Sequence, residues 1–216
     1  MPIDPAFLDL LSERTGELAF DINPETLPQG AFIPYTHAAG PGLTLVGRRR
    51  LRKLLRGLPP DQSLDWFDLY STYDGLNFFA ILPPNPMITG LTILPHTTWR
   101  AATKMLKNFP AFQGNSPARG PWTVFAISGR LPRLLILYQG QDQPRGPRNG
   151  YIYTITPDRP DPHQHPTLAH GIGDMLTQFA EDPLLFLEKL EFDIPLPTPD
   201  GDTHPHAPIA TRPLSR

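Results

Sequence analysis

The sequence has no cysteine in 216 residues. That excludes a disulfide framework, a thiolate zinc site, an iron–sulfur cluster and a thiol nucleophile. It also lacks a strong charge excess of either sign. Its 19 Lys and Arg stand against 21 Asp and Glu, for a formal net charge of −2. A chain so balanced has no global electrostatic footprint for nucleic acid, and no nucleic-acid partner is expected. No stretch approaches the ~18 uninterrupted apolar residues of a membrane span. Acidic residues are scattered through Met1 to Asp21, unlike a basic leader followed by an apolar run, so no signal peptide is expected. These absences predict a soluble, cytoplasmic protein with no membrane contact.

Catalytic signatures are missing as well. None of Ser12, Ser63, Ser71, Ser116, Ser128 and Ser215 lies in a G-x-S-x-G elbow. No Walker-type loop occurs, and Gly171-Ile172-Gly173 lacks the third glycine of a dinucleotide fingerprint. Asp65 and Asp68, three apart on an expected helix, read as solvated or capping groups rather than an acid and base pair. His163-x-His165 with His170, and His204-x-His206, have no carboxylate ligand at metal-binding spacing and read as surface histidines. Neither catalysis nor a cofactor or metal is expected.

Proline, by contrast, is abundant: 29 residues, well above the usual ~5%. It cannot occupy a helix interior or a central strand, so the windows between prolines mark the regular elements. Asp4-Pro5 starts an expected helix that Gly16 ends, and a short strand follows over Leu18 to Ile22. Gln29 to Pro41 reads as a loop. Gly42 to Leu58 is a helical window with Leu51, Leu54, Leu55 and Leu58 on one face. Its other residues include Arg48, Arg49, Arg50, Arg52, Lys53 and Arg56. That basic run reads as the solvated side of an amphipathic helix.

A second helix, capped by Ser63, carries Leu64, Phe67, Leu69 and Tyr70. The Asp74-Gly75 turn then precedes a strand over Leu76 to Leu82. Another short apolar stretch, Ile88 to Leu94, leads to a helix within Thr97 to Phe109. Three strands are expected over Trp122 to Ser128, Arg133 to Gln139 and Tyr151 to Thr156. The connection from Gln139 to Gly150 is rich in Gly and Pro and reads as mobile. Two closing helices follow, over Leu168 to Ala180 and Leu184 to Leu190, the second started by Asp182-Pro183. From Asp193 onward the chain reads as an extended or disordered tail.

The order of elements and several short motifs resemble the SUKH superfamily of Smi1/Knr4-like proteins. Leu54-Leu55-Arg56-Gly57-Leu58-Pro59 precedes Trp66-Phe67-Asp68-Leu69-Tyr70, and Asp74-Gly75 stands where that family has an Asn-Gly-like turn. Thr123-Val124-Phe125-Ala126-Ile127-Ser128-Gly129 and Gly150-Tyr151-Ile152-Tyr153-Thr154-Ile155 are similar to two of its strands, and Ile172 to Leu190 to its closing helical segment. The resemblance covers roughly Arg50 to Leu190. It implies a non-enzymatic protein-binding domain. Many bacterial members are immunity proteins that bind and neutralise a toxin, while eukaryotic members are regulatory scaffolds.

The expected architecture is one α+β domain with a mixed or antiparallel sheet of about four to six strands flanked by helices. Residues 1–43 form an N-terminal extension packed on the domain, 44–192 the SUKH-like domain, and 193–216 a proline-rich tail. The expected partner is a protein, with a toxin domain the leading candidate and a regulatory partner the alternative. The expected contacts are Trp66, Asp68, Tyr70, Tyr73 and Asp74 around the turn, with Arg49 and Arg52 from the basic run. Exposed Trp and Tyr are typical interface anchors.

Overall fold

Alternating apolar runs bounded by Gly and Pro become an antiparallel sheet, and the leucine-spaced windows become helices laid on it. The computed structural model describes residues 15–19, 32–81, 89–106, 109, 112, 121–128, 133–143, 146–156, 167–192 and 211–213. The strands are β1 (Thr15–Ala19), β2 (Phe32–Ala39), β3 (Leu76–Ile81), β4 (Thr89–Ile93), β5 (Trp122–Ser128), β6 (Arg133–Tyr138), β7 (Ile152–Ile155) and β8 (Thr211–Pro213). The helices are α1 (Leu45–Leu54), α2 (Pro60–Thr72), α3 (Trp99–Met105), α4 (Ile172–Glu181) and α5 (Pro183–Phe192). The sheet order is β7-β6-β5-β4-β3-β2-β1-β8, with every neighbouring pair antiparallel. This is an α+β fold. Strands β1 to β7 lie in sequence order, and the short β8 pairs with β1 at the edge of this eight-stranded sheet.

Side-chain alternation sorts β6 between two cores. Leu135 and Leu137 face one layer, while Leu134, Ile136 and Tyr138 face the other. The first layer holds Leu51 of α1, Trp66 and Tyr70 of α2, Met175 and Phe179 of α4, and Phe186 of α5. The second is smaller and holds Ala102 of α3 with Leu106, Phe112, Trp122 and Tyr153. With both faces covered, all six residues of β6 are buried. In β5 the register with β6 shifts between Val124 and Ala126. An extra residue in one strand re-aims the side chains that follow. Phe125 and Ala126 therefore both reach the larger core, while Val124 stays in the smaller one.

Two expectations about the N-terminal residues are corrected. Gly16 lies inside β1, paired with Tyr35 and Pro213, rather than ending a helix. The stretch read as a loop over Gln29 to Pro41 contains strand β2. Pro34 hid it, because proline argues against a central strand. Pro34 nonetheless takes its place in the β1–β2 ladder opposite Glu17, and the described part of the β2–β3 ladder runs from Tyr35, opposite Ile81. The helix expected before Gly16 falls outside the described residues, apart from its final Thr15 and Gly16. The tail expected to be loose returns three residues, Thr211–Pro213, to pair with Gly16, Glu17 and Leu18.

The Gln139–Gly150 connection, expected to be mobile, is tied down at the residues described. Gly150 N–H donates to Tyr138 O at 2.7 Å. Asn149 N–H donates to Asp142 Oδ1 at 2.7 Å. Two amide side chains then reach across to the turn after α1. Gln139 Nε2 donates to Leu54 O at 2.6 Å, and Asn149 Nδ2 to Gly57 O at 2.7 Å. The first satisfies a carbonyl that the helix C-terminus leaves without an intrahelical donor, and the second holds the turn that follows.

Candidate functional site

Trp66 and Tyr70, expected to anchor a partner, are fully buried and so cannot touch one. Their spacing of four residues puts both on the inner face of α2. Trp66 meets Trp99 edge-on at 5.2 Å and Phe125 at 4.9 Å between ring centroids. Such aromatic pairs contribute about 0.5–1.5 kcal/mol each beyond their buried area. The Tyr70 hydroxyl donates to Leu94 O at 2.6 Å, and Trp99 Nε1 donates to the Tyr70 hydroxyl and to Leu94 O, both at 3.1 Å. Burial, reinforced by the Asp74 charge, raises the Tyr70 hydroxyl well above the usual tyrosine range, against the opposing hydrogen bond from Trp99. This aromatic knot therefore joins α2, β5 and the start of α3.

The Asp74-Gly75 turn is likewise a junction of the fold and not a free contact surface. The segment Gly40-Pro41-Gly42 runs backbone to backbone against it. Gly40 N–H donates to Gly75 O at 2.8 Å, and Asp74 N–H to Pro41 O at 3.1 Å. A Cβ on Gly42 would stand 2.1 Å from Ser71 O, so the approach excludes a side chain there. Gly75 has φ of +98°, which favours glycine. The Asp74 carboxylate is 19% exposed and faces inward to His96, itself 6% exposed. Tyr73 is half-buried against the larger core. Asp68, by contrast, is exposed on the outer side of α2.

Arg49 and Arg52 stand in solvent, as the basic run implies. Thr44 caps α1, its hydroxyl accepting from Gly47 N–H at 3.2 Å. Only Gly47 and Leu51 of the helix are buried, and Leu55 and Leu58 continue the same seam beyond it. Around that narrow seam, Arg48, Arg49, Arg50, Arg52, Lys53 and Arg56 are all exposed. Among the described residues none of these six is paired with a carboxylate. Arg52 lies over the Phe67 ring, 5.7 Å from its centroid, which links α1 to α2. Like charges four apart on a helix repel by roughly 0.2–0.5 kcal/mol per pair. Arg48 with Arg52, and Arg49 with Lys53, are such pairs.

Two large apolar side chains accompany the cations. Leu45 is 77% exposed and Val46 58% exposed, at the first turn of α1. On α2, Leu64 is 58% exposed. Sequence reasoning did not single out Leu45 and Val46 as exposed apolar residues. The signal was available: neither lies on the helical face set by Leu51, Leu55 and Leu58, so a helix starting near Thr44 must present them elsewhere.

The histidines divide differently. His163, His165, His204 and His206 lie outside the described residues. His170 is exposed and stacks on Tyr151 with centroids 4.7 Å apart. His37 and His96 are buried, which the spacing of residues did not reveal. Burial lowers the His37 imidazole to about 4. Among the described residues no group of three or more His, Asp and Glu is placed to hold a metal ion. No helix among them is long and apolar enough to cross a membrane. No family model matches the chain, and no curated protein matches it.

Proposed function

We propose that the chain is a cytoplasmic, non-enzymatic protein-binding domain of SUKH type, an immunity protein that neutralises a toxin by covering its active site. The observation that carries this reading is the outer surface of the α1–α2 pair. Three of the four large hydrophobic residues exposed among the described residues, Leu45, Val46 and Leu64, lie on those two helices. Charged residues surround them, and apolar anchors within a polar surround suit an interface with another protein. The element order supports the same reading through the SUKH resemblance. Occlusion needs a preformed surface, and the burial of the α1 inner seam supports one, with Gln139 bound to the last helical carbonyl and Asn149 to the turn that follows.

The regulatory alternative assigns docking to the proline-rich tail. The pairing of Thr211–Pro213 with β1 ties the end of that tail to the sheet, which favours the helical surface as the contact. Purified chain mixed with the product of the gene next to its own is expected to elute as a stable complex and to suppress that product's toxicity on co-expression. Failure to form a complex overturns the reading, as does hydrolytic turnover by the purified chain.

A further inference from the structure

We propose that the exposed face of α1 docks an acidic surface of a protein partner, with Leu45 and Val46 as apolar anchors and Arg48, Arg49, Arg52, Lys53 and Arg56 as the cations that set its chemistry. This rests on the protein-binding reading and adds where the partner sits and what charge it carries.

Charge complementarity identifies the occupant. Six of the chain's 19 Lys and Arg are concentrated between Arg48 and Arg56, in a segment without a single acid. Among the described residues no carboxylate forms an ion pair with any of them as a counter-charge. An acidic surface supplies that counter-charge, and desolvating Arg against carboxylates in a fork geometry gives the contact direction as well as attraction.

Other polyanions fit less well. The remainder of the chain carries 13 cations against all 21 acids. A long nucleic acid running past α1 meets that excess negative charge. A compact acidic patch meets only a helix of about 15 Å. A membrane-surface helix places its apolar face in lipid. Here the seam of Gly47, Leu51, Leu55 and Leu58 is already buried in the domain, leaving two apolar residues for a bilayer.

Leu45 and Val46 fit the same occupant. They precede the cations by a single turn, so apolar contact and charge pairing fall on one footprint. Interface anchors tend to be desolvated within a charged surround that excludes water.

The test uses the full chain with three probes: poly-glutamate, a single-stranded polyuridine oligonucleotide and phosphatidylserine vesicles. Binding is measured from 20 mM to about 300 mM salt, where screening weakens exposed charge pairs. Poly-glutamate is expected to bind most tightly, and the combined variant R49E/R52E/R56E to weaken it at least tenfold. The matched R49K/R52K/R56K variant keeps the charge but not the fork, and should bind more tightly than the reversed variant and less tightly than wild type. Circular dichroism confirms the fold of each. Polyuridine or vesicles binding as tightly through the same residues overturns the proposal, as does poly-glutamate binding that ignores the charge reversal. A genuine protein partner that binds wild type and the reversed variant equally sinks this surface but leaves the protein-binding reading standing. Poly-glutamate binding as expected, with no complex formed by the neighbouring gene product, sinks that reading but leaves the surface standing.

Discussion

Asp74, between α2 and β3, holds His96, between β4 and α3, at three points. His96 Nδ1 lies 3.0 Å from Asp74 Oδ1 and 2.9 Å from Oδ2, and the His96 backbone N–H donates to Oδ1 at 2.8 Å. A carboxylate only accepts, so Nδ1 carries the proton in this pair. A residue expected to face a partner thus serves to hold the chain entering α3. Asp74→Ala removes the acceptor for two donors and should cost roughly 1.5–3 kcal/mol. A urea-unfolding midpoint that does not move would show that the pair contributes nothing to stability.

Gly75 should tolerate no side chain. Its φ is +98°, and a Cβ there would stand 2.9 Å from Pro95 Cγ. Gly75→Ala combines left-handed backbone strain with a contact against a rigid ring, for an expected loss on the order of 1–3 kcal/mol. Thermal melting of the variant beside wild type checks this.

Trp66→Ala separates the core role of this residue from the expected surface role. A cavity among Tyr70, Trp99 and Phe125 should cost about 3–5 kcal/mol. An interface residue would leave stability unchanged and affect only binding. Tyr70→Phe is milder. It leaves Trp99 Nε1 with Leu94 O as its acceptor, and the expected loss is about 0.5–1.5 kcal/mol.

His37 makes stability depend on pH. It is 7% exposed and packs edge-on against Phe78 at 5.6 Å. Its imidazole falls from the ordinary 6.5 in the unfolded chain to about 4 in the fold. Between those values the unfolded state binds the proton and the native state does not. Stability is therefore fully present above about pH 6.5 and falls as the pH drops toward 4. Guanidinium melts of His37→Leu should show a shallower fall across this window than wild type. Parallel profiles would remove His37 as the cause.

The sequence showed where regular structure lay better than it showed what each surface did. Trp122–Ser128 matches its strand end to end because turn residues bound an apolar run. Strand β2 was hidden by Pro34, since proline argues against a central strand and local patterning does not reveal its pairing opposite Glu17. The basic run was legible as a solvated helix because Leu51, Leu55 and Leu58 fix its inner face. Trp66 and Tyr70 were misassigned because aromatic residues suit cores and interfaces equally, and only their contacts with Trp99 and Phe125 decide between them. Nothing local joins Asp74 to His96, which are 22 positions apart. Leu45 and Val46 were detectable, but only once the start of α1 at Thr44 was known.

The most direct test of the account is a titration of the neighbouring gene's product into the full chain, run side by side with R49E/R52E/R56E and monitored by isothermal calorimetry. The account predicts a saturable complex with wild type and an affinity at least tenfold weaker for the charge-reversed chain. Equal affinities for the two chains, or no heat of binding to wild type, would contradict it.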